Sequence, residues 1–113
     1  SDAEMKDFAA EHLGYNHDKG LDFVARFNGK YVIGEAKFLT DYGGHQNAQF
    51  RDAVSTVKTD VNAVTVAILD GVLYISKESK KRDKNFMYKS ITEELQGYNI
   101  MSALVLRNFL YQL

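Results

Sequence analysis

Asp22, Glu35 and Lys37 are the residues of this chain whose types and spacing suit a chemical reaction. Twelve residues separate the two carboxylates, and one residue separates Glu35 from Lys37. Two carboxylates brought face to face repel each other and destabilise the fold that holds them. A divalent cation between them reverses that sign. Hard oxygen ligands on a rigid sheet suit Mg²⁺, which takes one or two carboxylates and fills its other positions with water and substrate phosphate oxygens. The Lys37 ammonium beside such a cation could bind a phosphate oxygen, or hold and acidify an attacking water. Cation and lysine together make an apparatus for hydrolysing a phosphodiester.

A β-hairpin is needed to bring the three together. Leu21, Phe23, Ala25 and Phe27 alternate with Asp22, Val24 and Arg26, and a second alternation runs from Lys30 to Phe38. Between them lies Asn28-Gly29, the strongest short-range hairpin signal, because both turn residues need φ > 0. A two-residue loop pairs Phe27 with Lys30. Counting outward without a bulge, Asp22 falls opposite Glu35, in the non-hydrogen-bonded class of pair where side chains come closest. Their Cβ atoms are then expected about 4.5–5.5 Å apart. Lys37, two residues past Glu35, projects from the same face. Its cross-strand neighbour is Gly20, which leaves that corner open.

The remaining elements frame this hairpin. Ser1 and Glu4 have capping-box spacing, Met5, Phe8, Ala9 and Leu13 form an apolar stripe, and Gly14 is a stop signal, so a first helix is expected. A second helix is expected over roughly residues 45 to 59, with Phe50, Ala53, Val54 and Val57 as its apolar stripe. Ala63 to Leu69 reads as a buried strand, Asp70-Gly71 as a turn and Val72 to Ile75 as a short strand. Two more helical patterns close the chain: Met87, Ile91 and Leu95 up to Gly97, then Ala103 to Leu113, capped by Ser102. The helix between the strands ending near residue 38 and starting near residue 63 lets those strands lie parallel. The expected fold is α/β (α+β): a mixed sheet with an N-terminal hairpin pair, a crossover helix and flanking helices, one domain over residues 1–113.

Composition narrows the function. With no cysteine, disulfides, thiolate zinc sites, iron–sulfur clusters and a cysteine nucleophile are excluded. A net charge of −1 argues against nucleic-acid binding by bulk charge, though not against a local basic patch. No apolar run approaches the roughly 18 residues of a membrane helix. Asp2, Glu4, Asp7 and Glu11 give the start the wrong charge for a secretory leader, so a cytoplasmic location is expected.

Weaker candidates surround the central three. Gln46 and Gln49 lie one turn apart at the start of the second helix, where they could reach phosphate or the water around a cation; ordinary surface glutamines read the same way. His12, His17 and His45 have no i+4 histidine partner, which argues against zinc, and His45 is nearest the pattern in sequence. Lys77, Lys80, Lys81, Arg82 and Lys84 could contact phosphates, or form a solvated loop. Tyr88, Tyr98 and Tyr111 read as core or interface residues, and Gly43-Gly44 lacks the Gly-Lys-Ser/Thr of a phosphate loop.

Asp22, twelve residues and then Glu35-Ala36-Lys37 resembles the motif of the PD-(D/E)xK nuclease superfamily. Leu21 stands where that motif's proline would be, and many members lack the proline. The wider stretch is similar to type II restriction endonucleases. It runs from Lys19-Gly20-Leu21-Asp22-Phe23-Val24 through Gly34-Glu35-Ala36-Lys37-Phe38 to Gly43-Gly44-His45-Gln46-Asn47-Ala48-Gln49-Phe50, with Asp70-Gly71 beyond. The resemblance covers about residues 17 to 75.

The resemblance implies a divalent-metal-dependent DNA endonuclease. Asp22 and Glu35 would be metal ligands, with the Ala36 carbonyl completing the shell and Lys37 as the catalytic lysine. An acidic residue of the first helix often lies near the metal in this superfamily, and Glu11 is the choice here. The implied cofactor is Mg²⁺, for which Mn²⁺ can substitute. The implied partners are double-stranded DNA, a second copy of the chain in a homodimer, and a DNA methyltransferase encoded nearby. Two alternatives keep the fold: a structure-selective nuclease for repair or junction resolution, and an inactive nucleic-acid-binding relic.

Overall fold

The computed structural model describes residues 1–17, 20–41, 43–71 and 89–113. The expected strand Val72–Ile75, the basic run from Lys77 to Lys84, Met87 and Tyr88 lie outside the described residues.

Helix α1 (Asp2–Leu13) forms as its caps dictate. The Ser1 hydroxyl accepts from the Glu4 N–H at 3.3 Å, and the Glu4 carboxylate takes the Ser1 amino group at 3.1 Å. Gly14, at φ 74°, turns the chain out of the helix. Strands β1 (Phe23–Phe27) and β2 (Lys30–Leu39) meet at Asn28 (φ 52°) and Gly29 (φ 79°), both left-handed as a tight hairpin turn requires. The register is the expected one, from Phe27 opposite Lys30 to Phe23 opposite Gly34.

Helix α2 (Gly44–Val57) then carries the chain over to β3 (Val64–Gly71), which pairs with β2 in parallel from Val32↔Val64 to Leu39↔Gly71. Strand β4 (Ile100–Met101) adds to β3 in parallel, and α3 (Ala103–Tyr111) follows. The sheet order is β1-β2-β3-β4. The fold is therefore α+β, a mixed sheet with an N-terminal hairpin pair, a crossover helix and flanking helices, as expected.

The sheet is covered on both faces. On one, Phe50, Ala53 and Val57 of α2 pack with Leu39, Ala67 and Leu69, while Ala9 and Leu13 of α1 pack with Tyr15, Leu21 and Ile33. On the other, Leu106, Phe109 and Leu110 of α3 pack against Val32, Val66 and Ile68. Gly34 lets β2 and β3 approach closely: a Cβ there would overlap the Val66 carbonyl.

Several expectations need correction. The third helical pattern appears, within the described residues, as one π-helical turn (Ser90–Glu94). Strand β4 is two residues long, too short to leave an alternating pattern, and it is set by pairing with Ala67 and Ile68. Strand β3 runs through Asp70-Gly71 instead of ending before a turn there. Ser102 makes no side-chain cap on α3. The Asp70 carboxylate, reaching from β3, accepts the Ala103 N–H at 3.0 Å in its place. Tyr98 and Tyr111 are exposed, which overturns the core half of their core-or-interface reading and leaves the interface half standing.

Candidate active site

β2 outlasts β1, and that mismatch builds the site. β1 begins at Phe23, whose partner is Gly34, so β2 continues through Glu35, Ala36 and Lys37 with no β1 residue beside it. A strand N–H left without a partner needs another acceptor. Asp22 supplies it: its Oδ2 accepts the Ala36 N–H at 2.8 Å, while its own N–H donates to the Gly34 carbonyl at 3.0 Å. The simple cross-strand pair Asp22–Glu35, expected from an uninterrupted ladder, therefore does not form. Asp22 still lies close enough for its charge to act on Glu35. An extended residue aims its N–H and C=O at the same edge, so the Ala36 carbonyl also faces the edge where Asp22 lies.

Glu35 occupies the α1/α2 face of β2, the face shared by Ile33, Lys37 and Leu39. It is 5 % exposed, and its Oε2 is buried without a hydrogen-bond partner. Burial pushes its pKa above the ordinary glutamate value. The ammonium of Lys37 pulls it back, the carboxylates of Asp22 and Asp52 raise it further, and the Thr56 hydroxyl lowers it. Lys37 is half-buried and Asp22 is exposed, so the group opens to solvent on the Asp22 side.

Asp52, Thr56 and Tyr15 escaped the sequence reading. Asp52 and Thr56 are one turn apart on α2, and the polar positions Gln49, Asp52 and Thr56, beside the apolar stripe, were the available signal. Tyr15 follows α1 and is 1 % exposed. Burial raises the pKa of its phenol, the Thr56 hydroxyl lowers it, and the charge of Glu35 raises it.

The weaker candidates make the following contacts. Glu11 is exposed, its carboxylate 3.8 Å from the His12 ring. Gln46 accepts the Thr40 N–H at 2.8 Å and so braces the end of β2. Gln49 contacts the His45 ring at 3.1 Å. His17 meets the Ser55 hydroxyl of α2 at 2.6 Å.

Among the described residues, no group of three or more histidine, cysteine, aspartate or glutamate side chains is gathered to hold a metal ion. The donors at this edge are two carboxylates and a backbone carbonyl. None of the described helices is long and apolar enough to cross a membrane.

Neither the curated proteins nor the solved structures contain a match to this chain. A family model described as Tsp45I type II restriction enzyme matches it over residues 1–113. The match spans the whole sequence, hairpin and flanking helices included, and the chain belongs to the Tsp45I type II restriction enzyme family.

Proposed function

We propose that this chain is a divalent-metal-dependent endonuclease that hydrolyses phosphodiester bonds in double-stranded DNA. Membership of a restriction enzyme family supports DNA as the substrate. One observation carries the metal reading: the buried, unpartnered Oε2 of Glu35, within range of the Asp22 charge. A buried carboxylate oxygen without a partner costs stability unless something occupies its lone pairs. The donor set is all oxygen, which suits Mg²⁺ or Mn²⁺.

Asp22, Glu35 and the Ala36 carbonyl would hold the cation. When bound, the cation supplies positive charge that polarises a phosphate oxygen and favours an ionised water as nucleophile. The chain's own residues do the rest. Asp22, tied to the Ala36 N–H, fixes the carbonyl of the same residue at the site's edge. Glu35 is held by the sheet, with α1 and α2 excluding water behind it. Lys37, on the same face, offers its ammonium to the negative charge that grows on the phosphate. Its charge also favours the ionised form of Glu35.

Cutting both strands calls for two such sites, and a homodimer supplies them. A restriction activity further implies a protecting DNA methyltransferase encoded nearby. Incubation with supercoiled plasmid tests the proposal: nicked or linear product should appear with Mg²⁺ or Mn²⁺ and not in excess chelator. Cleavage that persists in chelator would refute the metal role.

A further inference from the structure

Thr56 is fully buried on α2, and its Oγ1 has no hydrogen-bond partner. Helical threonines commonly return their hydroxyl to a carbonyl of the preceding turn. Thr59, two residues past the end of α2, does so, donating to the Ser55 carbonyl at 3.0 Å. Thr56 does not. Its hydroxyl lies instead beside Glu35 and Tyr15, on the face of α2 that packs against the sheet, with no bond of good geometry to either. Two polar atoms thus share one dry region, each unsatisfied: Thr56 Oγ1 and Glu35 Oε2. A lone buried hydroxyl destabilises a fold, and valine would fill the same volume without it.

We infer that Thr56 is a positioning residue: when a divalent cation is bound, its hydroxyl donates to the Glu35 carboxylate and fixes that carboxylate's orientation. The inference rests on the reading of Glu35 as a cation ligand. A bond of this kind restrains a ligating carboxylate and raises the affinity of the site, and its loss costs about tenfold in metal binding. The same hydroxyl serves no bond in the metal-free chain. Removing it should therefore have opposite effects on the fold and on the metal, which a purely packing role would not produce.

The test compares the parent chain with Thr56→Val, Thr56→Ser and Glu35→Gln. Mn²⁺ affinity is measured by calorimetry without DNA, and the melting temperature is measured in chelator. Thr56→Val should melt at or above the parent temperature in chelator and bind Mn²⁺ about tenfold more weakly. Thr56→Ser, which keeps the hydroxyl, should bind Mn²⁺ nearly as the parent does. Glu35→Gln should lose Mn²⁺ binding at this site. If Glu35→Gln loses binding while Thr56→Val binds as the parent, the positioning role is refuted and the metal site stands. If Glu35→Gln binds Mn²⁺ like the parent, the metal site is refuted and the positioning role falls with it. A Thr56→Val chain that fails to fold would mean that the hydroxyl has a structural partner without metal, and would also overturn the inference.

Discussion

The Asp22 carboxylate accepts the Ala36 N–H at 2.8 Å and so closes the hydrogen-bond ladder past the point where β1 stops. Asp22 therefore has two roles that charge alone would not reveal. It is an acceptor for the backbone of β2, and it is a negative charge beside Glu35. In chelator, Asp22→Ala should lower stability by roughly 1 kcal/mol, the usual worth of one such bond. Asp22→Asn keeps an acceptor and sheds the repulsion, so it should lose less. Urea unfolding of both variants checks this. Equal losses would mean that the bond to Ala36 contributes nothing.

Lys37→Ala should leave DNA binding largely intact and slow cleavage by about 10²–10³-fold, the range for removing one group aimed at charge in a transition state. The split follows from its proposed work: it meets charge that is greatest at the transition state. Gel-shift titration beside single-turnover cleavage separates the two effects. Wild-type-like cleavage by the variant would remove Lys37 from the mechanism.

Glu35 makes stability depend on pH in a definite direction. Its carboxyl holds its proton more tightly in the fold than in the unfolded chain, chiefly because of burial. As pH rises, the unfolded chain releases that proton first. The folded state then binds more protons than the unfolded one, so stability falls with rising pH. In chelator, the fall should run from the ordinary glutamate range through the raised value of Glu35 and then level off. Glu35→Gln should lack this component. The difference in unfolding free energy between the two proteins, measured against pH, isolates it. A difference that grows in the parent's favour as pH rises would contradict the burial.

Much of this arrangement was legible in the sequence because local rules dictate it. Asn28-Gly29 sets the turn, and the turn sets the register that puts Glu35 and Lys37 on one face. Ser1, Glu4 and Gly14 bound α1 as their types require. What was not legible depends on distant parts meeting. Asp22 bonding to Ala36 follows from the unequal lengths of β1 and β2, which no alternation pattern announces. Thr56 and Asp52 reach Glu35 only because α2 packs on that face of the sheet, and Tyr15 because α1 does. Glu11, on the same helix as the well-read caps, is exposed because its position points away from the Ala9–Leu13 stripe.

The cap on α3 offers a test of one such distant contact. Asp70, not Ser102, satisfies the Ala103 N–H, and its negative charge also suits a helix N-terminus. Asp70→Ala should cost about 1 kcal/mol in unfolding free energy, in the range for losing a helix cap. Ser102→Ala should cost a few tenths at most. Chemical denaturation distinguishes them, and the reverse order would return the capping role to Ser102.

The claim that Asp22 and Glu35 share a divalent cation is tested most directly by one set of melting temperatures. Parent and Glu35→Gln are each melted in excess chelator and in millimolar Mg²⁺. Without metal, Glu35→Gln removes a buried carboxyl that Asp22 and Asp52 disfavour as an anion, so it should melt at or above the parent temperature. With Mg²⁺, the parent should gain stability by mass action on its folded state, while the variant gains much less for want of one anionic ligand. The order of the two proteins should therefore reverse between the two conditions. Equal gains from Mg²⁺ would place the ion elsewhere. A variant far less stable than the parent in chelator would make Glu35 a structural residue.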